Sequence, residues 1–196
     1  MMAVDINDLS PEAQSHISAL AEENDHLKKQ IEKLAKIAVE DELTGLLNRR
    51  GFSRSLNSAV SYAHRYSVPA CLLYIDLNEF KQINDTYGHQ TGDFMLKTVG
   101  YRLQRQVRQS DIVARLGGDE FAVLLWHVNH ETAQTRGAKI MDGICKPLVK
   151  ISKQVETHIK ASAGVTILEK NDTAETLLER ADQAMYKAKR RFKSAG

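Results

Sequence analysis

The chain has 196 residues, of which 42% are hydrophobic and 27% charged, with a formal net charge of +2. This composition is typical of one globular domain with an appendage, and the near-neutral charge argues against nucleic-acid binding. No secretory signal is recognisable, and no apolar stretch approaches the length of about 20 residues that a helix needs to span a bilayer. The two cysteines, Cys71 and Cys145, lack metal-ligand spacing and favour a reducing compartment. We therefore expect a cytoplasmic protein without a membrane span.

The first predicted element is a long helix that starts at Ser10, followed by Pro11 and Glu12. No glycine or proline then interrupts the chain until Gly45. A heptad seam runs along this helix through Ile17, Leu20, Asn24, Leu27, Ile31, Leu34 and Ala38. Isoleucine at a and leucine at d favour a parallel two-stranded coil, whose register a buried Asn24 would fix. We predict a dimeric coiled-coil stalk over residues 1–40, with a helix packed on its own domain as the alternative.

From residue 41 onward, helical and strand patterns alternate, which indicates an α/β domain over residues 41–196. The strands at 112–116 and 121–126 flank a double-glycine turn and are predicted to form a hairpin, an antiparallel addition to a mixed sheet. The other predicted elements are a helix at 52–63, a strand at 70–75, a helix through 96–107, a helix at 133–144, strands at 155–159 and 162–167, and a closing helix at 173–191.

Three acidic residues lie at the ends of predicted strands. Asp76 terminates an apolar run, and Asp119 and Glu120 follow the glycine pair Gly117 and Gly118 of the hairpin. A magnesium site usually takes one or two carboxylates and is completed by waters and substrate phosphates. Two glycines also let the backbone adopt positive φ and approach a ligand closely. The pattern therefore predicts a split site for a divalent cation and a phosphate; alternatively, Asp76 only caps the following turn.

Five motifs follow one another in the domain at a characteristic spacing. They read D-E-L-T-G-L-L-N-R-R-G-F at 41–52, D-L-N-E-F-K-Q-I-N-D at 76–85, G-H-Q-T-G-D at 88–93, G-G-D-E-F at 117–121 and A-D-Q-A-M-Y-K-A-K at 181–189. Over about residues 41–190 the sequence resembles the GGDEF domain, the diguanylate cyclase family. The resemblance implies a mixed sheet with flanking helices, similar to a polymerase palm or nucleotide cyclase. It also implies condensation of two GTP into cyclic di-GMP plus two pyrophosphates across a homodimer of half-sites.

The resemblance also implies a set of metal ligands and substrate contacts. Asp76 and Asp119 would bind two Mg²⁺ ions, or Mn²⁺, with the backbone carbonyl of Leu77 as a further ligand. Glu120 would assist at the second ion or act as a base. The residues implied to contact the substrate are Asn84 and Asp93 at the guanine, Lys81 and Lys189 at the phosphates, and the turn glycines Gly117 and Gly118. Read alone, Asn84 could be a polar helix-end residue, Asp93 a helix N-cap and each lysine a solvated surface residue.

Two further positions match regulatory residues of the family. Arg108 and Asp111 form an R-x-x-D sequence at the family's offset from the glycine pair, which implies inhibition by bound cyclic di-GMP. Arg115 matches an arginine associated with the active dimer, although it could be a surface residue of the strand.

The sequence departs from the family pattern at two places. Asn78 replaces a common second acid, and Phe192-Lys193-Ser194 stands where relatives carry G-R-N. Neither departure touches the metal carboxylates, so we expect an active enzyme. A non-catalytic sensor of GTP or cyclic di-GMP, and a coiled-coil interaction module with a structural domain, are the alternatives.

Overall fold

The computed structural model describes residues 10–151 and 155–195 as two compact units that divide between residues 38 and 39. The first unit is most of helix α1 (Pro11–Val39), which starts where predicted, with the Ser10 hydroxyl accepting a hydrogen bond from Ala13 N at 3.3 Å. The first nine residues of the predicted stalk lie outside the described residues. Within the described ranges, no helix is both long and apolar enough to cross a bilayer.

The second unit alternates helices and strands, and its elements agree with most of the predicted ones. In chain order they are α2 (Arg49–Tyr66), β1 (Ala70–Leu77), α3 (Phe80–Tyr87), α4 (His89–Gln106), β2 (Ile112–Gly117), β3 (Glu120–Trp126), α5 (His130–Cys145), β4 (Leu148–Lys150), β5 (Glu156–His158), β6 (Ala161–Ile167) and α6 (Ala174–Ala195). Helix α3 and strand β4 were not predicted. With eight and three residues, both are too short for an apolar period to be recognised.

The main sheet has the strand order β2-β3-β1-β6, and each neighbouring pair is antiparallel. A parallel bridge joins Leu47 to Ala114 on the β2 side. All eight residues of β1 are buried, because helices cover both faces of this strand. On one face, Leu73 and Ile75 pack with α4 and α5, and on the other, Leu72 and Tyr74 pack with α2 and α6. The structure thus confirms the predicted α/β architecture with flanking helices and a long N-terminal helix.

Asp172 fastens the start of α6 to the end of β6. Its carboxylate accepts hydrogen bonds from Glu169 N at 2.8 Å and from the Thr176 hydroxyl at 3.1 Å, and it pairs with Arg180. Burial alone would raise the pKa of Asp172, but these hydrogen bonds outweigh it and hold the pKa below its usual range. The carboxylate is therefore more stable as an anion in the folded protein than in the unfolded chain.

We expect Asp172→Asn to lower the free energy of unfolding by about 1.5 to 3 kcal/mol at neutral pH, the range for hydrogen bonds to a charged group. Because the pKa is lowered in the folded state, this stabilisation is present above the unfolded pKa and is lost as the pH falls through the folded one. Urea unfolding of parent and variant at neutral and acidic pH checks this. An equal difference in free energy of unfolding at both pH values would contradict it.

Candidate active site

The ends of β1 and β3 bring the three predicted acids to one edge of the sheet. Asp76 lies directly opposite Glu120 in the register of these antiparallel strands. The amide of Leu77 donates a hydrogen bond to the carbonyl oxygen of Asp119 at 3.2 Å, which fastens the glycine turn to the end of β1. Side chains directly opposite each other on paired strands share a face of the sheet. Asp76 and Glu120 therefore lie on the face that α2 and α6 cover.

Asp76 is buried, and its charge is compensated from α6. The ammonium of Lys189 lies 2.5 Å from Asp76 Oδ1, and only 26% of that lysine side chain is exposed. The two residues are 113 positions apart in the sequence. The fold thus brings together a predicted metal ligand and a predicted phosphate contact, with the lysine as a cation on the carboxylate.

The surroundings of Asp119 disfavour its negative charge. Burial raises the pKa of this carboxyl, the neighbouring charge of Asp76 raises it further, and Lys189 and Arg115 offset only part of the effect. Two carboxylates that repel each other in a partly buried site favour a bound cation. This electrostatic arrangement and the hard oxygen donors fit a divalent ion such as Mg²⁺.

Protein side chains alone would not complete such a site. Across residues 10–151 and 155–195, the His, Cys, Asp and Glu side chains form no group of three that could hold a metal ion. Magnesium usually retains several waters and takes substrate phosphates as ligands. The pair Asp76 and Asp119 therefore fits a metal that binds together with a nucleotide.

Glu120 has partners of its own. Arg49 Nη2 donates to Glu120 Oε2 at 3.3 Å, and the buried Tyr74 lies beside the same carboxylate. The pKa of Tyr74 is raised, first by burial and then by the charge of Glu120, so this phenol remains a proton donor. Glu120 and Asp76 thus have separate cationic partners, Arg49 and Lys189, although their backbones are paired.

The glycine turn adopts a conformation that side chains disfavour. Gly117 has φ of 144° and Gly118 has φ of 51°, and a Cβ built on either would meet no atom within 4 Å. The turn therefore requires glycine for its backbone and leaves open space beside it. This is the space that the predicted phosphate contact needs.

Arg115 braces this turn from within the same chain. Its guanidinium donates to Gly118 O at 2.7 and 3.0 Å and to the carboxylate of Asp41 at 3.1 Å, and its side chain is 13% exposed. Burial alone would raise the pKa of Asp41, but hydrogen bonds from Thr44 and Arg115 hold it below its usual range. The surface alternative for Arg115 is wrong, because these contacts bury it. Its role in an active dimer stays a prediction.

The predicted guanine contacts lie on α3 and α4. Asn84 packs against Gly92, where an added Cβ would lie 1.9 Å from Asn84 Oδ1. This oxygen is one of two buried side-chain nitrogen or oxygen atoms in the described residues that lack a hydrogen-bond partner. Asp93 is exposed within α4, and the N-cap alternative is wrong because Gly88 caps this helix. Lys81 is exposed on α3.

The R-x-x-D sequence borders a cavity of about 580 Å³, whose lining includes both Arg108 and Asp111. The two carboxylate oxygens of Asp111 accept hydrogen bonds from Arg108 N at 2.9 Å and Trp126 N at 3.0 Å. Asp111 therefore shapes the loop, whereas the side chain of Arg108 is exposed at its rim.

Several residues at this edge of the sheet were not predicted to have a role. They include Arg49, Tyr74 and Asp41, although Arg49 and Asp41 belong to the first quoted motif. Asn78 was interpreted only as a missing acid, whereas its buried amide exchanges hydrogen bonds of 3.0 and 3.1 Å with Ser162 on β6. Motif membership was the available signal for Arg49 and Asp41.

Known proteins resemble this chain over most of its length. Residues 38–195 match the model "Diguanylate cyclase, GGDEF domain". The diguanylate cyclase DgcP of Pseudomonas aeruginosa is 38% identical over 168 residues, covering 84% of this chain and 24% of DgcP. The diguanylate cyclase TpbB of the same species is 36% identical over 192 residues, covering 97% of this chain and 42% of TpbB. The chain thus spans less than half the length of either relative.

A solved structure extends the likeness to the N-terminal helix. The coiled coil and GGDEF domain of DgcB from Caulobacter crescentus, in complex with cyclic di-GMP, superposes with a TM-score of 0.83 at 28% identity. The match covers 90% of this chain and 94% of that one. From the family match and these relatives together, the chain belongs to the diguanylate cyclase family of GGDEF domains.

Proposed function

We propose that this protein condenses two GTP molecules into cyclic di-GMP and releases two pyrophosphates. The observation that carries the proposal is the pair Asp76 and Asp119 beside an open glycine turn, with Lys189 held on Asp76 at 2.5 Å. This is a cation site next to space for a phosphate, in a chain of the diguanylate cyclase family.

Asp76, Asp119 and the backbone carbonyl of Leu77 would hold the divalent ions, two Mg²⁺ per site. When bound, such ions neutralise charge on phosphate oxygens and favour an ionised attacking hydroxyl. The carboxylate of Glu120 would accept the proton of one GTP 3′-hydroxyl. That oxygen then forms a bond to the α-phosphorus of the second GTP, and the bond from this phosphorus to the pyrophosphate oxygen breaks.

Asn84 and Asp93 would select guanine. The unpartnered Asn84 Oδ1 is an acceptor aimed at no protein donor, and an exposed carboxylate at Asp93 can accept from the N1 and N2 donors of the base. A buried acceptor without a partner is costly unless a ligand satisfies it. This favours a base with two adjacent donors, which guanine has.

Lys81, Lys189 and the amides of Gly117 and Gly118 would contact the triphosphate. Lys189 is paired with Asp76, and leaving that carboxylate would free its ammonium for phosphate oxygens. A cavity of about 540 Å³ next to Lys189 also includes Lys160, Phe192 and Lys193 in its lining. A lysine at position 193 keeps a positive charge where relatives carry arginine.

The reaction needs two half-sites, and helix α1 would supply the dimer. Its seam residues Leu20, Leu27, Ile31 and Leu34 are 49 to 65% exposed in the single chain. Burying a leucine side chain contributes about 1.5 to 3 kcal/mol, so a parallel partner helix would be strongly favoured. A homodimer joined by this stalk would keep two half-sites in one assembly.

Product inhibition would use the cavity at Arg108. We expect Arg108→Ala to weaken inhibition by added cyclic di-GMP by at least about tenfold, because a guanidinium contact to phosphate is charge-assisted. The initial rate without added product should stay the same. Arg108 is the suitable position, because Asp111 also shapes the loop. Dose–response curves of parent and variant check this, and identical curves would contradict it.

The proposed reaction is tested by incubating the protein with GTP and Mg²⁺ and identifying the products by mass. Cyclic di-GMP and pyrophosphate from the parent, and not from Asp119→Asn, would support the enzyme and its metal site. Tight binding of GTP or cyclic di-GMP without any product, after bound nucleotide has been stripped, would instead support a non-catalytic sensor.

A further inference from the structure

A polar cluster surrounds Glu120, next to the metal pair Asp76 and Asp119. Arg49 reaches this carboxylate with Nη2 at 3.3 Å, while its Nε donates to the carbonyl oxygen of Leu116 at 3.0 Å. The guanidinium therefore contacts both strands of the hairpin, one on each side of the glycine turn. Tyr74, from β1, lies on the interior side of Glu120 and is 5% exposed.

The backbone that carries Arg49 is firmly held. It is the first residue of α2, directly after the N-cap Asn48, which accepts from Gly51 N. Asn48 also donates from its backbone to Val39 O at 2.9 Å and from its side chain to Glu40 O at 3.0 Å. A Cβ on Gly51 would lie 2.2 Å from Val39 O, so the helix start packs tightly at this point.

The position of Arg49 is not explained by the stability of α2. The first turn of a helix favours negative charge, so a cation there gains nothing from the helix dipole. The favourable interactions of this side chain are instead its two hydrogen bonds to the hairpin. A planar guanidinium can make both at once, and a lysine ammonium cannot hold the same geometry.

We propose that Arg49 is a positioning residue that fixes the Glu120 carboxylate for its role at the 3′-hydroxyl. The inference rests on the proposed function, since it concerns the same site. Arg49 acts through Glu120 and not on the nucleotide. Loss of Arg49 should therefore slow the chemical step and leave GTP affinity intact.

The kinetic test compares Arg49→Gln with Arg50→Gln, the neighbouring arginine of the same helix turn. We expect kcat of Arg49→Gln to fall by about tenfold to hundredfold, with KM for GTP within about twofold. Arg49→Lys should recover part of kcat, and Arg50→Gln should match the parent. Unfolding temperatures are measured for all four proteins to exclude loss of fold.

A second measurement detects the contact without any activity. The Nε–H of Arg49 is held by Leu116 O, so its ¹⁵N–¹H signal should be observable in the parent and should shift in Glu120→Gln. A signal that does not move in Glu120→Gln would overturn the inference. It would also be overturned if Arg49→Gln raised KM at unchanged kcat, or if Arg49→Gln and Arg50→Gln had equal kinetics. Failure of the proposed function itself would be recognised separately, because the unsubstituted protein would then make no cyclic di-GMP in the same assay.

Discussion

Asp119→Asn is expected to abolish cyclic di-GMP synthesis while the domain stays folded. The amide removes one of the two carboxylates that would hold the divalent ions, and electrostatic stabilisation of this kind contributes several kcal/mol to the transition state. We expect turnover to fall by at least about a hundredfold. Product formation measured by mass at saturating GTP and Mg²⁺ checks this.

The same substitution should not destabilise the fold. Burial and the charge of Asp76 both penalise the Asp119 carboxylate, so a neutral amide removes an unfavourable interaction. Its unfolding temperature should equal or exceed that of the parent. Asp142→Asn is the matched control, because it breaks an exposed ion pair between Asp142 of α5 and Lys146, the residue after that helix, and should leave turnover unchanged. Normal turnover of Asp119→Asn would refute the assignment of the metal site.

Replacing both Leu27 and Leu34 with aspartate is expected to separate the dimer and remove most of the activity. Both positions belong to the d seam of α1, where two charges per helix would have to be buried against the partner. We expect a monomer by light scattering and a rate at least about tenfold lower. The rate should then rise with the square of protein concentration, because two half-sites must meet.

In the control, Glu22 and Lys29 are both replaced with aspartate. These two positions lie on the opposite side of the helix from the seam. The control changes the net charge of the helix by the same amount as the seam variant, and it should remain a dimer with parental activity. The domain from Val39 onward forms its own compact unit, so its unfolding temperature should be the same in all three proteins. A seam variant that is monomeric yet fully active would show that the stalk does not assemble the half-sites.

Much of the candidate site could be predicted because its signals are local in the sequence. Asp76 ends an apolar run, and Asp119 and Glu120 follow two glycines within a hairpin whose second strand pairs with β1. The order of the motifs indicated the family, and the three- and four-residue steps of α1 predicted a long helix. Each of these patterns is recognised within a few helical turns or one pair of strands.

The partners of those residues could not be predicted in the same way. Lys189 reaches Asp76 across 113 positions, Arg115 reaches Asp41 across 74, and Arg49 reaches Glu120 across 71. The contacts of Lys189 and Arg49 depend on how α6 and α2 pack on one face of the sheet, and that of Arg115 on how the segment before α2 lies against β2; no local period encodes either. The sequence alone therefore determined the acids, the turn and the order of most elements, with α3 and β4 as the exceptions. Only the tertiary structure decided which cation neutralises which carboxylate, because charge pairing depends on distance in space.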